Sequence, residues 1–264
     1  MNNSYWAERL LRFNNEVLKD IEKRSEELIN AYKKAFNENL TNEISQIYNE
    51  YADNNGEISY TKILKYNRLK KINEKFKNIA LELGANEIEF LKDNFPEIIK
   101  KSYEEVGIML EVSFETISKD IIDYVVNYPW SGKDYKSTVW DNKELLIKNL
   151  KQIVTKGIIN GDSINKMLAA LKKAMEQEAW KCRRIIRTET MHMINAGHYE
   201  RYKKAGIKQL KYVATHDYYS DGKPRYCESC MGNDGKIYEI DNAPMLPLHP
   251  NCRCTLIPIV DIKD

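Results

Sequence analysis

Cys227-Glu228-Ser229-Cys230, followed after eighteen residues by His249-Pro250-Asn251-Cys252-Arg253-Cys254, sets two pairs of soft metal ligands facing one another along the chain. This is zinc spacing: each pair brings two ligands together on a tight turn, and the intervening residues can fold back to close a tetrahedron. Cys227, Cys230 and His249 are the first three expected ligands. Cys252 and Cys254 alternate along an expected strand, so both face one side and either can supply the fourth. A metal-free, hydrogen-bonded knuckle is the alternative that the same residues allow.

Around this stretch the pattern is β. Gln209 to Thr215 alternates as a strand, Gly235 to Glu239 as another and Cys254 to Val260 as a third, which places the cysteine pairs at the ends of a small sheet. Upstream the period becomes helical. A long helix is expected from about Met175 to Lys204, stopped by Gly206, with Lys203 and Lys204 suited to its negative end. Its apolar stripe includes Ala179, Cys182, Ile186, Met193 and Ala196, and Glu189 falls on it, so this carboxylate must be paired or neutralised. Glu189 therefore reads as a buried strut. Arg187 points the other way and is expected to link to the sheet or to the Pro247-Leu248-His249-Pro250 loop. Asn195 and Tyr199 read as hydrogen-bonded packing residues, His192 as the same or a surface residue, and Cys182 as a small buried apolar one.

Further back, Asp162 or Ser163 can cap a short helix through Leu171, and another helix runs from Trp140 to Lys156. Tyr128-Pro129-Trp130-Ser131-Gly132 breaks the pattern and is the candidate boundary. Before it, Trp6, Leu10, Phe13, Val17, Ile21, Leu28, Ala31 and Ala35 step by three or four. Asn37-Glu38-Asn39 is expected to bend that rod before Thr41, an expected N-cap. Asp53-Asn54-Asn55-Gly56 is a stop. A second run through Ile63, Tyr66, Leu69, Ile72, Phe76, Ile79 and Leu83 is expected to end near Gly84, and Pro96 to start or kink the next. The fold class is mainly α: an extended N-terminal helical bundle or arm over residues 1–128, then a smaller α+β domain over 129–264 with a C-terminal zinc-knuckle-like β element.

Composition agrees. Of 264 residues, 30% are charged and Gly and Pro are sparse, which favours long helices. Neither a signal peptide nor a membrane-length apolar run is present, so no membrane partner and a cytosolic site of synthesis are expected. Five cysteines, an odd number, then suit ligands plus a buried spare rather than disulfides. The net charge of +2 conceals an asymmetry: Lys148 to Lys211 holds fifteen Lys and Arg against five Asp and Glu. Lys172, Lys173, Arg183, Arg184, Lys203 and Lys204 are the candidates for non-specific contact with double-stranded DNA, against the alternatives of a solvated helical face or a patch matched to an acidic protein.

A zinc-dependent enzyme, deaminase-like or nuclease-like, is the competing class. His198-Tyr199-Glu200 with Pro224-Arg225-Tyr226-Cys227-Glu228-Ser229-Cys230 partly follows the deaminase pattern, but proline sits three positions before the first cysteine, and His249, Cys252 and Cys254 go unused. Four protein ligands would also close the coordination position that catalysis requires. No catalytic residue is assigned.

Trp130-Ser131-Gly132-Lys133-Asp134-Tyr135, Trp140, Gly157 to Ser163, Arg187-Thr188-Glu189, Asn195, Cys227 to Cys230, Asp234-Gly235-Lys236 and His249 to Cys254 occur in that order. This ordered set, over roughly residues 128–260, resembles the phage head morphogenesis family, the Mu F-like minor capsid proteins of tailed phages. The resemblance implies a minor head protein inside the virion, associated with the portal and with capsid or scaffold protein. It further implies action in procapsid assembly and in DNA packaging or ejection, with no catalytic activity. Arg187, Thr188, Glu189 and Asn195 are carried as its structural motif, while structural zinc is the cofactor expected from the Cys/His spacing.

Overall fold

The computed structural model describes residues 3–54, 56–65, 67–215, 217–218, 224–225 and 227–260. Asn55, Tyr66 and Tyr226 of the sequence reading lie outside these residues. The chain is mainly helical with a small antiparallel sheet. Its helices are α1 (Asn3–Arg24), α2 (Glu26–Lys34), a π-helical segment (Ala35–Leu40), α3 (Thr41–Tyr51), α4 (Tyr60–Lys65), α5 (Arg68–Met109), α6 (Lys119–Asn127), α7 (Tyr135–Ile159) and α8 (Ile164–Lys204). The strands are β1 (Gln209–Val213), β2 (Asp217–Tyr218), β3 (Pro224–Arg225), β4 (Ile237–Glu239) and β5 (Thr255–Pro258), with a one-turn helix α9 (Glu228–Met231) and a 3-10 turn (Ile240–Asn242) between them.

Several expected breaks are absent. Asn37 to Asn39 lie in the π-helical segment, so the chain stays helical through them. Thr41 is itself helical at φ −60, and its hydroxyl donates to Phe36 O at 3.0 Å instead of capping. Gly84 does not end a helix and Pro96 does not start one, since both lie inside the 42-residue α5. Gly84 is needed there for space: a Cβ would sit 2.7 Å from the Trp140 ring and 2.9 Å from Lys143 Cγ. The two helices expected between Ser163 and Lys204 are one, capped by the Ser163 hydroxyl accepting from Lys166 N–H. It ends as the sequence suggests. Gly206 is left-handed at φ 73, and Ile207 N–H closes back on Tyr202 O in a Schellman motif.

The chain forms two compact units, each built from separated segments. The first comprises Met1–Arg24, Leu91–Asp134 and Arg184–Asp264, the second Ser25–Phe90 and Tyr135–Arg183. The boundary read at Tyr128-Pro129 falls within the first unit.

In the first unit β1 is central, pairing antiparallel with β4 (Leu210 opposite Tyr238) and with β5 (Tyr212 opposite Leu256). Trp6 and Leu10 of α1, Val106 and Met109 of α5, and Tyr202 of α8 cover this sheet, forming one buried cluster with Leu210, Tyr212, Leu256 and three cysteines. Gly197 lets α8 meet α5, since a Cβ there would lie 2.7 Å from Ile99 O.

In the second unit Phe76 and Ala80 of α5, Val139, Leu146 and Leu150 of α7, and Leu171 of α8 form the apolar interior. The stripe of α7 contains a charge. Lys143 is buried, with Nζ 2.5 Å from Glu87 Oε1, 2.9 Å from Glu178 Oε1 and 2.6 Å from the Tyr32 hydroxyl. Burial raises the Glu87 carboxyl to about 7, despite the opposing pull of Lys143. Burial disfavours the ammonium form of Lys143, but the two carboxylates outweigh it and hold its pKa above the usual value.

Candidate metal centre

All five expected ligands lie in the first unit, at the loop ends of its sheet. Cys227 is extended and starts α9, whose single turn carries Cys230 round to the same side, with Met231 N–H bonded to Cys227 O at 2.9 Å. His249 and Cys252 are joined by a second tight turn, closed by Cys252 N–H to His249 O at 3.1 Å. Asn251 takes the left-handed conformation that the turn requires, at φ 62, which asparagine tolerates better than most residues. Its own N–H donates to the Thr188 hydroxyl at 3.0 Å, pinning the turn to α8.

Two groups of three converge. Cys227, Cys230 and His249 have their ligand atoms within 4.8 Å of one another, as do Cys230, Cys252 and Cys254, so Cys230 is common to both. Cys230 Sγ lies 3.7 Å from Cys252 Sγ, close to the roughly 3.8 Å edge that two thiolates span around a tetrahedral zinc. It lies 3.1 Å from His249 Nε2, a few tenths of an ångström inside the corresponding sulfur–nitrogen edge of about 3.5 Å. Pro250 O, 2.9 Å from His249 Nδ1, can only accept, so Nδ1 carries the proton and Nε2 presents its lone pair to the cysteines. Donor types and tautomer therefore suit a divalent soft metal, and the spacing brings Cys230 together with Cys227 and His249 on one side and with Cys252 and Cys254 on the other, without setting all four expected ligands within 4.8 Å of one another.

The thiols are not equivalent. A hydrogen bond with Ser229 brings Cys227 down to about 7, whereas burial pushes Cys230 up to about 12. Cys252 and Cys254 have their sulfurs within 4.8 Å of one another, and their interaction favours the thiolate on Cys254 and the thiol on Cys252. The buried Tyr212 hydroxyl is directed towards Cys254 and Cys230 without making an ordinary hydrogen bond among the described residues.

The Arg187-Thr188-Glu189 stretch supports this centre unevenly. Thr188 donates to Arg184 O at 2.7 Å while accepting from Asn251. Asn195 donates to Cys254 O at 3.3 Å and accepts from the Thr255 hydroxyl at 2.9 Å, so it ties α8 to β5 and to the last cysteine. Glu189 is buried and accepts from the Trp130 indole Nε1–H at 2.9 Å. Arg187 does not reach the sheet or the 247–250 loop, because its guanidinium pairs with Glu22 of α1. His192 is a core residue, stacked on Trp130 with ring centroids 4.7 Å apart and donating from Nδ1 to Leu246 O at 3.0 Å.

His198, which the deaminase pattern would bring to the cysteines, instead sits between Phe13 and Tyr202 with neither ring nitrogen partnered among the described residues. Complete burial lowers its pKa to about 3. Of the polyanion candidates, Lys172, Lys173 and Arg183 are exposed residues of the second unit, and exposed Lys203 and Lys204 with half-buried Arg184 belong to the first. Trp130 and Tyr212 are the neighbours of the site that sequence reasoning missed. The turn sequence around Trp130 and the alternation of β1 were the available signals.

Residues 148–257 match the family described as Phage Mu protein F like protein. A minor head protein, GP7, of Bacillus phage SPP1 is 24% identical over 246 residues, covering 83% of this chain and 76% of that protein. The NAD(+)--arginine ADP-ribosyltransferase EFV of Enterococcus faecalis is 23% identical over 269 residues, covering 88% of this chain but 54% of the transferase, so the chain spans about half its length. No solved structure matches the chain significantly.

Proposed function

We propose, from the match of residues 148–257 to the phage Mu protein F like family, that the chain is a minor head protein of a tailed phage or prophage, resident in the virion near the portal. Its role is to help assemble the procapsid together with portal and capsid or scaffold protein, and to assist DNA packaging or ejection. The observation that carries this reading is that all five Cys/His residues fall inside the family segment and three of them are buried in a core, with Cys227 and His249 half-buried at its edge. Cys230, Cys252 and Cys254 are each less than 5% exposed. Thr188 and Asn195 hold the second ligand stretch, His249 to Cys254, to α8. A zinc there would be structural, cross-linking the connection between β3 and β4 to the loop that leads into β5. No enzymatic activity is assigned in this reading, in which four protein ligands would leave no coordination position for water or substrate.

DNA contact, in this reading, is phosphate binding without sequence readout, through the exposed Lys203 and Lys204 of the first unit. Duplex binding should then fall steeply with salt. The direct test of the function is mass spectrometry of purified heads, with recovery alongside the portal when heads are gently dissociated. Absence of the chain from heads that contain portal would remove the proposal.

A further inference from the structure

The second unit carries a groove that neither the metal centre nor the family assignment uses. It has a volume of about 560 Å³ and runs between α2 with the π-helical segment on one side and α8 on the other. Buried Ile29, Tyr32 and Met175 form its floor. On the α8 side Lys172, Glu176, Trp180 and Arg183 follow one another at helical spacing, so they line one edge. The other edge holds Lys33 and Phe36, and Phe36 is delivered by the π-helical segment, an irregularity that often marks functional sites.

Two properties define what fits. Trp180 leaves 56% of its surface exposed beside an apolar floor, an arrangement that an occupant with an apolar face would complete. Charge then sets its sign: the rim has three cations and one carboxylate. Glu176 is already 3.9 Å from Lys172, while Lys33 and Arg183 have no ion-pair partner among the described residues. A trough between two helices matches the cylinder of a third helix. We propose that this groove docks an acidic amphipathic helix of a partner protein, apolar face on Trp180 and the floor, glutamates and aspartates on Lys33, Lys172 and Arg183. A nucleic-acid strand fits less well, because the floor beneath the cations is apolar. The proposal stands on the second unit alone and does not depend on the metal or on the family reading.

The test uses the full chain and a fluorescein-labelled peptide of about 18 residues, five helical turns, with leucines at helical spacing flanked by glutamates. A scrambled peptide of equal composition and a mixed-sequence oligonucleotide serve as comparisons. The patterned peptide should bind at least about tenfold more tightly than the scrambled one, and Arg183→Glu combined with Lys33→Glu should weaken it by about tenfold or more. Trp180→Ala should weaken it too, with circular dichroism unchanged in every variant. Equal binding of the two peptides, no binding of either, or indifference to the charge reversal in variants that stay folded would overturn the proposal. An oligonucleotide that displaces the peptide and shows the same dependence on Arg183 and Trp180 would assign the groove to nucleic acid instead.

Discussion

The Trp130 indole donates a hydrogen bond to Glu189 at 2.9 Å and stacks its face on His192, so a turn between α6 and α7 is fastened to the helix that carries both Thr188 and Asn195. Burial, the largest effect, raises Glu189 to about 7; the indole hydrogen bond opposes this, and Asp134 adds to it.

The carboxyl's folded-state pKa is therefore above its unfolded value. Its contribution to stability is fully present below the unfolded pKa near 4.5 and is lost as pH rises through about 7. His192, lowered to about 4 by burial, works oppositely: its contribution is present above 6.5 and lost as pH falls through 4. Comparing Glu189→Gln with the parent cancels the histidine. The difference in unfolding free energy should move in favour of glutamine between pH 5 and 8 by up to roughly 3 kcal/mol, an upper figure from the size of the shift. Denaturant melts at four pH values check it, and a difference independent of pH would show that Glu189 does not titrate in that window.

Lys143 predicts an asymmetric result in the second unit. Lys143→Met strands Glu87 in the interior, leaves Glu178 with only Lys181 as its ion-pair partner among the described residues, and should cost about 3–5 kcal/mol at pH 8. The triple change Lys143→Met, Glu87→Gln, Glu178→Gln removes the charges together and should recover most of that loss. Equal destabilisation in single and triple variants, measured by urea unfolding, would contradict the ion-network account.

Thr188→Val keeps the shape of the side chain but removes the acceptor of the Asn251 N–H. It should cost about 1–2 kcal/mol and loosen the His249–Cys252 turn. Metal retention reports the second effect, with affinity falling by about tenfold or more in competition with a chelator. Unchanged retention would mean that the turn is rigid without α8.

The fourth-ligand question is answerable by substitution. With Cys227, Cys230 and His249 intact, Cys252→Ser should lower affinity sharply if the 3.7 Å sulfur pair is the ligand edge, while Cys254→Ser should lower it less. The reverse order would place Cys254 in the ligand set and Cys252 behind it.

Much of the site was legible because ligand identity and spacing are local. Cys-x-x-Cys and His-x-x-Cys each occupy one turn, and the alternation flanking them gave the three strands to within a few residues. What failed was continuity of helices. Asn37 to Asn39 and Gly84 have poor local helix preference, yet the chain stays helical through them, and Gly84 is required for space because the side chains of Trp140 and Lys143 occupy the position a Cβ would need. The partner of Arg187 was missed for a different reason. Its helix face gives a direction but not what lies there, and Glu22 is 165 residues away in sequence. Lys143 was detectable in principle, since it interrupts the Val139, Leu146 and Leu150 stripe of α7.

The central claim, that the Cys/His centre is a metal-held clasp, is tested most directly by elemental analysis of the full chain purified without chelators, beside Cys230→Ser. Cys230 belongs to both ligand groups, so its loss disables either fourth-ligand arrangement. The account predicts about one zinc per chain in the parent and less than about a tenth in the variant, with a lower melting temperature once the metal is stripped. Less than about half an equivalent in the parent, or full occupancy in Cys230→Ser, would contradict it.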